Sequence, residues 1–295
     1  MKLSVVIPVF RGKTILPILF TKITDTLTGK YDFEVLFICD GCDAVSKENV
    51  KLLKAENQDI IRTFFLNRNY GQHRALQYGL GKATGDIIVT LDEDLQHDPA
   101  DIIKFIKIQE KGRYDVVYGK FEELHHKGIR NKISVMLRKV LKSFIPDLCE
   151  NYSPYRLIKR EIASKISNAV GPYIFIDDLI SRITKNIGFV VIQHHPRLNG
   201  ESSYNFLKLL KHSLLIVLTY SGLLNWSFVG GALFLAGGIL ILTLRTFLSL
   251  PDFLLNVNHK ILIFIGLIFI VAGITGILVK YLNRKINLKP VQSIL

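Results

Sequence analysis

The chain has few cysteines, since only three occur among its 295 residues. Cys39 and Cys42 are separated by two residues, which is the spacing of a redox pair or of half a zinc site. No second pair is present to complete four zinc ligands, and Cys149 stands by itself in the sequence. The cysteine content excludes a disulfide-stabilised scaffold and favours two reduced thiols in a loop.

No removable targeting segment is predicted at the start of the sequence. Met1 to Pro8 carries one lysine ahead of an apolar stretch that stops at proline. This stretch is too short for a signal peptide and is predicted to be the first strand. The large N-terminal part is therefore expected to stay in the compartment where it is made.

A glycine-rich phosphate loop of the P-loop or dinucleotide-binding type is absent as well. The glycines from Gly79 to Gly85 come before an apolar strand, whereas in those motifs the glycines follow one. They are predicted to end a helix instead. The sequence contains no internal repeat and no low-complexity linker.

Acidic residues are outnumbered, because 25 Asp and Glu stand against 38 Lys and Arg and leave a net charge of +13. Such a balance indicates an anionic partner, either nucleic acid or anionic lipid. Two long runs without any ionisable residue, Trp226 to Leu244 and Ile261 to Val279, favour lipid. Each run is about 28 Å long as a helix, close to the hydrocarbon thickness of a bilayer. The basic charge is predicted to face lipid phosphates and not nucleic acid.

These runs predict two transmembrane helices at 226–244 and 261–282, although either run alone could be a buried core helix. Four cations follow the second run, and the positive-inside rule then predicts that both long ends are cytoplasmic, including a tail at 283–295. Residues 205–225 are predicted to form an interfacial juxtamembrane helix. Glycines within the first run are compatible with close helix packing and with a homo-oligomer; they are Gly230, Gly231, Gly237 and Gly238.

Residues 1–204 are predicted to form one α/β domain. Apolar strands alternate with helical stretches, which is typical of a mostly parallel sheet covered on both faces. The candidate strands are Leu3–Pro8, Phe33–Cys39, Ile60–Leu66, Ile87–Leu91 and Val116–Tyr118.

A cluster of carboxylates follows the fourth candidate strand. Asp92 to Asp94 come directly after Ile87–Leu91, and Gln96 stands two residues further on. Ligands of open α/β sheets bind beyond the carboxyl ends of the strands. Closely spaced carboxylates repel one another unless a cation neutralises them, and oxygen ligands suit Mg²⁺ or Mn²⁺. The alternative is a solvated acidic turn that caps the helix begun by Pro99.

This Asp-x-Asp-Leu-Gln segment, after a strand led by Gly-Asp, resembles the nucleotide-sugar and metal motif of the family 2 glycosyltransferases. Their fold is the Rossmann-like GT-A fold. Within the family the chain is most similar to the polyprenyl-phosphate glycosyltransferases, the group of dolichyl-phosphate mannose synthase and the bactoprenol glucosyltransferases. The resemblance runs from Leu3 to about Tyr204. It implies that Asp94 is the principal metal ligand, that Gln96 assists, and that Asp92 holds the ribose or completes the metal shell.

The resemblance also implies nucleotide contacts at the ends of the first three strands, by Pro8, Asp40, Asn69 and Gly71. An acidic pair usually ends the second strand, and here Cys39 replaces the first acid. The first strand departs from the pattern too, because Arg11 and Gly12 stand where the family has asparagine and glutamate after an aromatic residue. Gly71 permits a tight turn, and the helix that follows offers free N–H groups to an anion.

For the acceptor, the segment from Arg197 to Tyr204 matches the family signature Arg-x-x-Gly-x-Ser-x-Tyr. A guanidinium makes bidentate contacts to phosphate oxygens, and the hydroxyls of Ser202 and Ser203 can donate further bonds. The resemblance therefore implies a cradle for a phosphate at the bilayer surface. Arg156 matches a second family arginine and is expected in the same phosphate region.

Asp177 and Asp178 occupy the region where related sugar transferases keep a catalytic base. A phosphate monoester has its second pKa at about 6, so a lipid phosphate is already an ionised nucleophile. Two roles stay open for these aspartates, with Asp178 the catalytic candidate: positioning the acceptor, or stabilising the loop.

Taken together, the resemblance implies an inverting, metal-dependent transfer of sugar from a nucleotide diphosphate donor, expected to be a UDP-sugar, to a polyprenyl phosphate. The expected location is the cytoplasmic face of a bacterial inner membrane. A processive polysaccharide synthase is one alternative, but its Gln-x-x-Arg-Trp motif is missing around Trp226, the only tryptophan. The other alternative is a membrane-anchored nucleotide-binding scaffold built on a decayed transferase.

Overall fold

The computed structural model describes residues 1–12, 14–121, 148–149, 151–170, 174–193, 223–248 and 259–286. The chain divides into two compact units. The first comprises Met1–Val170, Ile174–Asn205 and Pro290–Leu295, and the second comprises Gly171–Tyr173 and Phe206–Lys289.

The described residues of the first unit form a seven-stranded sheet in the order β3-β2-β1-β4-β6-β5-β7. Its strands are β1 Lys2–Val9, β2 Asp32–Asp40, β3 Ile61–Leu66, β4 Ile87–Thr90, β5 Val116–Phe121, β6 Arg156–Lys159 and β7 Ile187–Ile192. The first four strands are parallel, β6 is antiparallel to both of its neighbours, and β5 is parallel to β7. The predicted α/β fold with a mostly parallel sheet is confirmed.

Among the described residues of this unit, six α-helices cover the sheet. They are α1 Ile15–Leu27, α2 Ala44–Glu56, α3 Gln72–Lys82, α4 Ile102–Gly112, α5 Arg160–Ser167 and α6 Ile176–Ile183. Alternate residues of β1 enter opposite halves of the core, since Val5 and Ile7 pack with α1, α2 and α4, whereas Val6 packs with α3, α5 and α6. Burial on both faces explains why the parallel strands are continuous apolar runs.

Gly79, within α3, and Gly85, between α3 and β4, lie where helix and sheet approach each other closely. A Cβ on Gly79 would lie 2.5 Å from the side chain of Val6, and one on Gly85 would lie 2.6 Å from the backbone nitrogen of Ser4. Helix α3 ends at Lys82, and β4 begins five residues later. The prediction that this segment closes a helix ahead of a strand is confirmed.

The second unit contains two long helices, α7 Leu223–Leu248 and α8 His259–Ile286. They pack backbone to backbone at two glycines, because a Cβ on Gly231 would lie 2.8 Å from the carbonyl oxygen of Gly266. Within the part of the chain that the structure describes, none of the helices has the length and apolar character that crossing a membrane requires. Most of the segment predicted as an interfacial helix at 205–225, and most of the tail predicted at 283–295, lie outside the described residues.

Candidate functional site

Four parallel strands bring their carboxyl ends to one edge of the sheet, which we call the carboxyl edge. Asp40 is the last residue of β2, and Phe10–Gly12 directly follow β1. The segment Asn67–Gly71 joins β3 to α3, and Asp92–Gln96 follow β4. Segments far apart in the sequence therefore meet at the edge where open α/β sheets bind their ligands.

Asp40 holds the turn that leads into α3. Its two carboxylate oxygens accept the backbone N–H groups of Tyr70, at 2.7 Å, and Gly71, at 2.8 Å. Burial raises the pKa of Asp40 above its usual value, while these two N–H groups act to lower it. The sequence predicted Asp40 as a direct nucleotide contact, and the structure shows it as the support of the neighbouring turn. The direct contact stays a prediction.

Gly71 has a backbone conformation that side-chain-bearing residues rarely adopt, with φ at +92°. The residue stands at the N-cap of α3, and the Asn69 side-chain oxygen accepts its N–H at 2.9 Å. A Cβ added to Gly71 would meet nothing within 4 Å, so open space lies beside the turn. Glycine is thus required here by the backbone angle and not by crowding.

Gln72 connects the start of α3 to the acidic segment after β4. Its Nε2 donates to Asp92 Oδ1 at 2.5 Å. The bond places one carboxylate of the predicted metal motif beside a helix N-terminus, where free N–H groups and the helix dipole attract anions. Sequence reasoning missed Gln72, and its place directly after Gly71 was the signal available for it.

The acidic segment itself is a tight turn. Leu95 has a φ of +57°, which is uncommon for a residue with a branched side chain, and this side chain is buried. The Oδ1 atom of Asp94 accepts the backbone N–H of Gln96 at 3.2 Å. The turn leaves Asp92, Asp94 and Gln96 half-buried, each within reach of solvent.

The alternative for this acidic turn was that it caps the helix begun by Pro99. That capping role belongs to a later residue, Asp98. The side chain of Asp98 accepts the N–H of Ala100 at 3.1 Å, at the start of the short 3₁₀ helix Pro99–Asp101. His97 is buried with its ring 5.1 Å from that of Tyr155, as a structural residue would be. Asp92 and Asp94 are therefore not the caps of the helix that Pro99 begins.

The side-chain oxygens of Asp92, Asp94 and Gln96 suit a divalent cation whose remaining ligands come from a bound substrate. Among the described residues, no three His, Cys, Asp or Glu side chains form a metal-binding group. Mg²⁺ commonly binds through one or two carboxylates together with substrate phosphates, and Mn²⁺ also favours oxygen ligands. The carboxylates of Asp92 and Asp94 with the amide of Gln96 fit that chemistry.

Glu93 lies between these two carboxylates in sequence but is bonded elsewhere. Its oxygens accept the backbone N–H groups of Phe10, at 3.2 Å, and Arg11, at 3.0 Å. Burial raises its pKa, the two N–H groups act to lower it, and the nearby charges of Asp94 and Asp43 raise it further. Sequence reasoning gave Glu93 no role of its own.

Arg156 and Asp177 form a buried pair where β6 lies beside β4. The guanidinium contacts the Asp177 carboxylate, and its Nε donates to the Thr90 hydroxyl at 3.2 Å. The Tyr118 hydroxyl donates to the same carboxylate at 2.9 Å. Burial raises the pKa of Asp177, while Arg156 and Tyr118 act in the opposite direction. Arg156 is only 1% exposed, so the phosphate contact predicted for it would require this pair to open.

Asp178 is buried at the start of α6, where its Oδ1 accepts from Arg182 Nε at 2.9 Å. The residue before α6, Phe175, contacts α3, because its ring meets that of His73 edge-on at 5.1 Å. Both aspartates thus have stabilising contacts, and the catalytic role considered for Asp178 stays a prediction.

Of the two thiols predicted in a loop, Cys42 lies in the loop between β2 and α2 but Cys39 does not, and both are buried. Cys39 lies within β2, and the Cys42 thiol donates to the carbonyl of Val9 at 3.1 Å. Both are free cysteines. The acceptor-phosphate residues predicted near the membrane, Arg197, Ser202 and Ser203, lie outside the described residues.

Comparison with known proteins gives consistent results at three levels. The sequence model described as glycosyl transferase family 2 matches residues 4–178. An undecaprenyl-phosphate 4-deoxy-4-formamido-L-arabinose transferase from Yersinia enterocolitica is 30% identical, over 97% of this chain and 89% of its own length. The enzyme of the same name from Photorhabdus laumondii is also 30% identical, over 97% of this chain and 90% of its own.

Among solved structures, a glucosyl-3-phosphoglycerate synthase from Mycobacterium tuberculosis, crystallised with Mn²⁺, uridine diphosphate and glucosyl-3-phosphoglycerate, superposes with a TM-score of 0.54. The two sequences are 17% identical, and the match covers 74% of this chain and 78% of the other. At this identity the likeness concerns the fold alone.

Proposed function

Because the chain belongs to glycosyl transferase family 2 and is therefore a sugar-transferring enzyme, we propose that it moves a sugar from a uridine diphosphate donor to a polyprenyl phosphate. The observation that carries this proposal is the bond between Gln72 and Asp92, which joins a carboxylate pair to the N-terminus of α3. Cation ligands beside an anion-binding helix end suit a nucleoside diphosphate held by a divalent cation.

The residues of the carboxyl edge are proposed to bind different parts of the sugar donor. Asp92 and Asp94, with the Gln96 amide, would hold Mg²⁺ or Mn²⁺, which when bound neutralises charge on the leaving diphosphate. The first N–H groups of α3 would receive a phosphate oxygen, with Gly71 fixing the turn that presents them. Asn69 and Pro8 are proposed to contact the nucleotide, and Asp40 would act on it through the turn that it holds.

The proposed acceptor follows from the relatives, whose names describe transfer to undecaprenyl phosphate. An ionised phosphate oxygen of the lipid would attack the anomeric carbon opposite the departing diphosphate, so the configuration at that carbon inverts. Because this oxygen is already charged at neutral pH, no side chain has to remove a proton. Arg197, Ser202 and Ser203 are proposed to hold the acceptor phosphate by charge-assisted hydrogen bonds.

We place this reaction at the cytoplasmic face of the bacterial inner membrane. The described helices include no candidate membrane span, so this placement rests on the sequence, in which each of the two apolar runs, within 226–244 and 261–282, would as a helix have about the length of a bilayer's hydrocarbon thickness. Large apolar side chains on both long helices are exposed, such as Leu233 at 69% and Phe264 at 64%. Contact with lipid would cover this surface. We therefore propose that both runs span the membrane and that 205–225 lies at its anionic surface.

The test is a transfer assay with the full-length chain in detergent or nanodiscs. A panel of UDP-sugars is offered together with a short polyprenyl phosphate and Mn²⁺, and mass spectrometry follows the lipid product. We expect one UDP-sugar to yield a lipid carrying a single sugar and an equal amount of uridine diphosphate. Binding of uridine diphosphate without transfer from any donor would instead indicate a scaffold. Products with many sugars would indicate a processive synthase.

A further inference from the structure

The loop after β1 is fastened to the acidic motif by a side chain that belongs to that motif. Glu93 is separated from Phe10 by 83 positions, yet its carboxylate accepts the N–H groups of Phe10 and Arg11 at 3.2 and 3.0 Å. Its two sequence neighbours, Asp92 and Asp94, are the proposed metal ligands. Two of the three acidic residues are thus proposed to bind the cation, and the third binds the loop after β1.

Gly12 makes room for this arrangement. A Cβ at Gly12 would lie 2.6 Å from Oε2 of Glu93, and 2.7 and 2.8 Å from two side-chain atoms of Leu16. Contacts under 3.0 Å are shorter than real Cβ atoms show, so something would have to shift. The space beside Gly12 is thus occupied by the carboxylate that arrives from the acidic motif.

The same position is where the sequence departs from the family pattern. The pattern has asparagine and glutamate after the aromatic residue, whereas this chain has Arg11 and Gly12. Where the resembled pattern has a glutamate, this loop has Gly12, and the carboxylate of Glu93 lies against that glycine. A carboxylate is thus present at this place, supplied by the acidic motif and not by the loop itself.

We propose that Glu93 is a positioning residue that takes over the place of the missing loop acid and fixes the Phe10–Gly12 loop to the metal motif. The inference rests on the proposed function, because the loop and the motif would then hold one donor between them. Movement of the loop would disturb donor binding, whereas the acceptor phosphate, proposed to be held at Arg197, would be affected less.

The experiment is a double-mutant cycle with Glu93→Ala, Gly12→Glu and the two changes combined, measured on the full-length chain. The clash of residue 12 with Leu16 is present with and without Glu93, so it cancels in the cycle. We expect each single change to raise the KM for the UDP-sugar more than the KM for the lipid phosphate. If the two changes acted independently, their losses of kcat/KM would multiply in the combined variant. We expect the kcat/KM of the combined variant to be about tenfold or more above that value, as for residues in contact.

Glu161→Ala is the matched control, because Glu161 is an exposed acid paired only with Lys165 on α5 in the described structure. It should leave both KM values unchanged. Losses that multiply in the combined variant, without recovery, would overturn the proposal.

Should the Gly12→Glu proteins fail to fold, Glu93→Gln decides the question. Its amide oxygen can still accept the N–H of Arg11, but its NH₂ group cannot accept that of Phe10. A rise in the donor KM alone supports the proposal, and equal changes in both KM values, or no change, contradict it. The proposed function is tested separately in the unaltered protein: absence of transfer there would refute the function, whereas transfer there without coupling in the cycle refutes only the inference.

Discussion

Strand β2 carries a buried carboxylate near each end, and the two are held in different ways. Glu34 accepts from the hydroxyl of Ser4 at 2.6 Å and from Arg62 at 3.0 Å, and the backbone N–H and hydroxyl of Thr84 also donate to it. Burial alone would raise the pKa of Glu34, but these hydrogen bonds together lower it. Asp40, at the other end, is bonded to two backbone N–H groups, and its pKa is raised.

This difference distinguishes the edge where the parallel strands begin from the carboxyl edge, which carries the proposed donor site. Where the parallel strands begin, a cation of the protein itself neutralises the buried acid. At the carboxyl edge, Asp40 and Glu93 are held by backbone N–H groups, and burial raises the pKa of both. The negative charge of these two carboxylates is therefore neutralised less by the protein than that of Glu34. This favours binding of a cation that arrives with the substrate.

The largest expected effect is that of Asp94→Asn, which tests whether the carboxyl edge needs a bound cation. Removing one carboxylate weakens the proposed metal site, and turnover should fall by more than about 100-fold while the protein stays folded. Excess EDTA should have the same effect on the unaltered protein. The measurement is sugar transfer together with thermal unfolding.

Glu34→Gln is the control for this experiment, since it alters a carboxylate at the opposite edge of the same sheet. It should reduce stability while leaving the rate of the folded enzyme unchanged. Full turnover of Asp94→Asn, or undiminished turnover in EDTA, would break the distinction between the two edges.

The next largest effect concerns the buried pair of Arg156 and Asp177 near the carboxyl edge. Asp177→Ala removes the partner of a guanidinium that is 1% exposed, and an uncompensated buried charge of this kind costs about 3–5 kcal/mol of unfolding free energy. The loss is measured by chemical denaturation of the full chain.

Replacing both members of that pair by leucine should destabilise the protein less than Asp177→Ala alone, because no buried charge is then left unpaired. A cost near zero for Asp177→Ala would mean instead that the guanidinium readily turns to solvent. Arg156 would then be available to a phosphate, as its match to a family arginine implies.

A smaller effect, with a defined pH dependence, is expected for Glu34→Gln. Loss of charge-assisted bonds to Ser4, Thr84 and Arg62 should cost about 1.5–3 kcal/mol of unfolding free energy near neutral pH. The folded pKa of Glu34 lies below its ordinary value of 4.5. Its ionised form therefore contributes stability above that value, and this contribution is lost as the pH falls through the folded pKa.

Thermal unfolding from about pH 7 to about pH 3 should show the unaltered protein and Glu34→Gln converging as the pH falls below 4.5. A difference that is independent of pH would show that packing, and not charge, stabilises this edge.

The sequence was sufficient for the four parallel strands because burial on both faces makes each a continuous apolar run. It was not sufficient for β6, which has four residues and carries Arg156 and Lys159 at its ends. Edge strand β7 was missed too, and its exposed Phe189 and Val191 alternate with buried neighbours only once its place in the sheet is known.

At the site, residues adjacent in sequence were easier to predict than contacts between distant segments. Asp92, Asp94 and Gln96 stand together after a strand, and this cluster and its resemblance to the family motif were enough to predict them as metal ligands. The bonds from Gln72 to Asp92 and from Phe10 to Glu93 join residues 20 and 83 positions apart. Only the parallel order of the strands makes these segments neighbours, so the roles of Gln72 and Glu93 required the fold.

The smallest effect comes from a pair of glycines at opposite edges. Gly71 lies in the turn before α3 with φ at +92°, and Gly29 lies in the turn between α1 and β2 with φ at +75°. A Cβ on either would meet nothing within 4 Å, so alanine at each tests the backbone conformation alone. Gly29→Ala should cost about 1 kcal/mol of unfolding free energy, and Gly71→Ala more, because its ψ of 151° lies in a region that is essentially restricted to glycine. Only Gly71→Ala should also raise the KM for the UDP-sugar, because Gly71 shapes the turn held by Asp40 at the N-terminus of α3. If Gly29→Ala impaired transfer equally, backbone strain anywhere in the domain would suffice, and the turn before α3 would have no special part in donor binding.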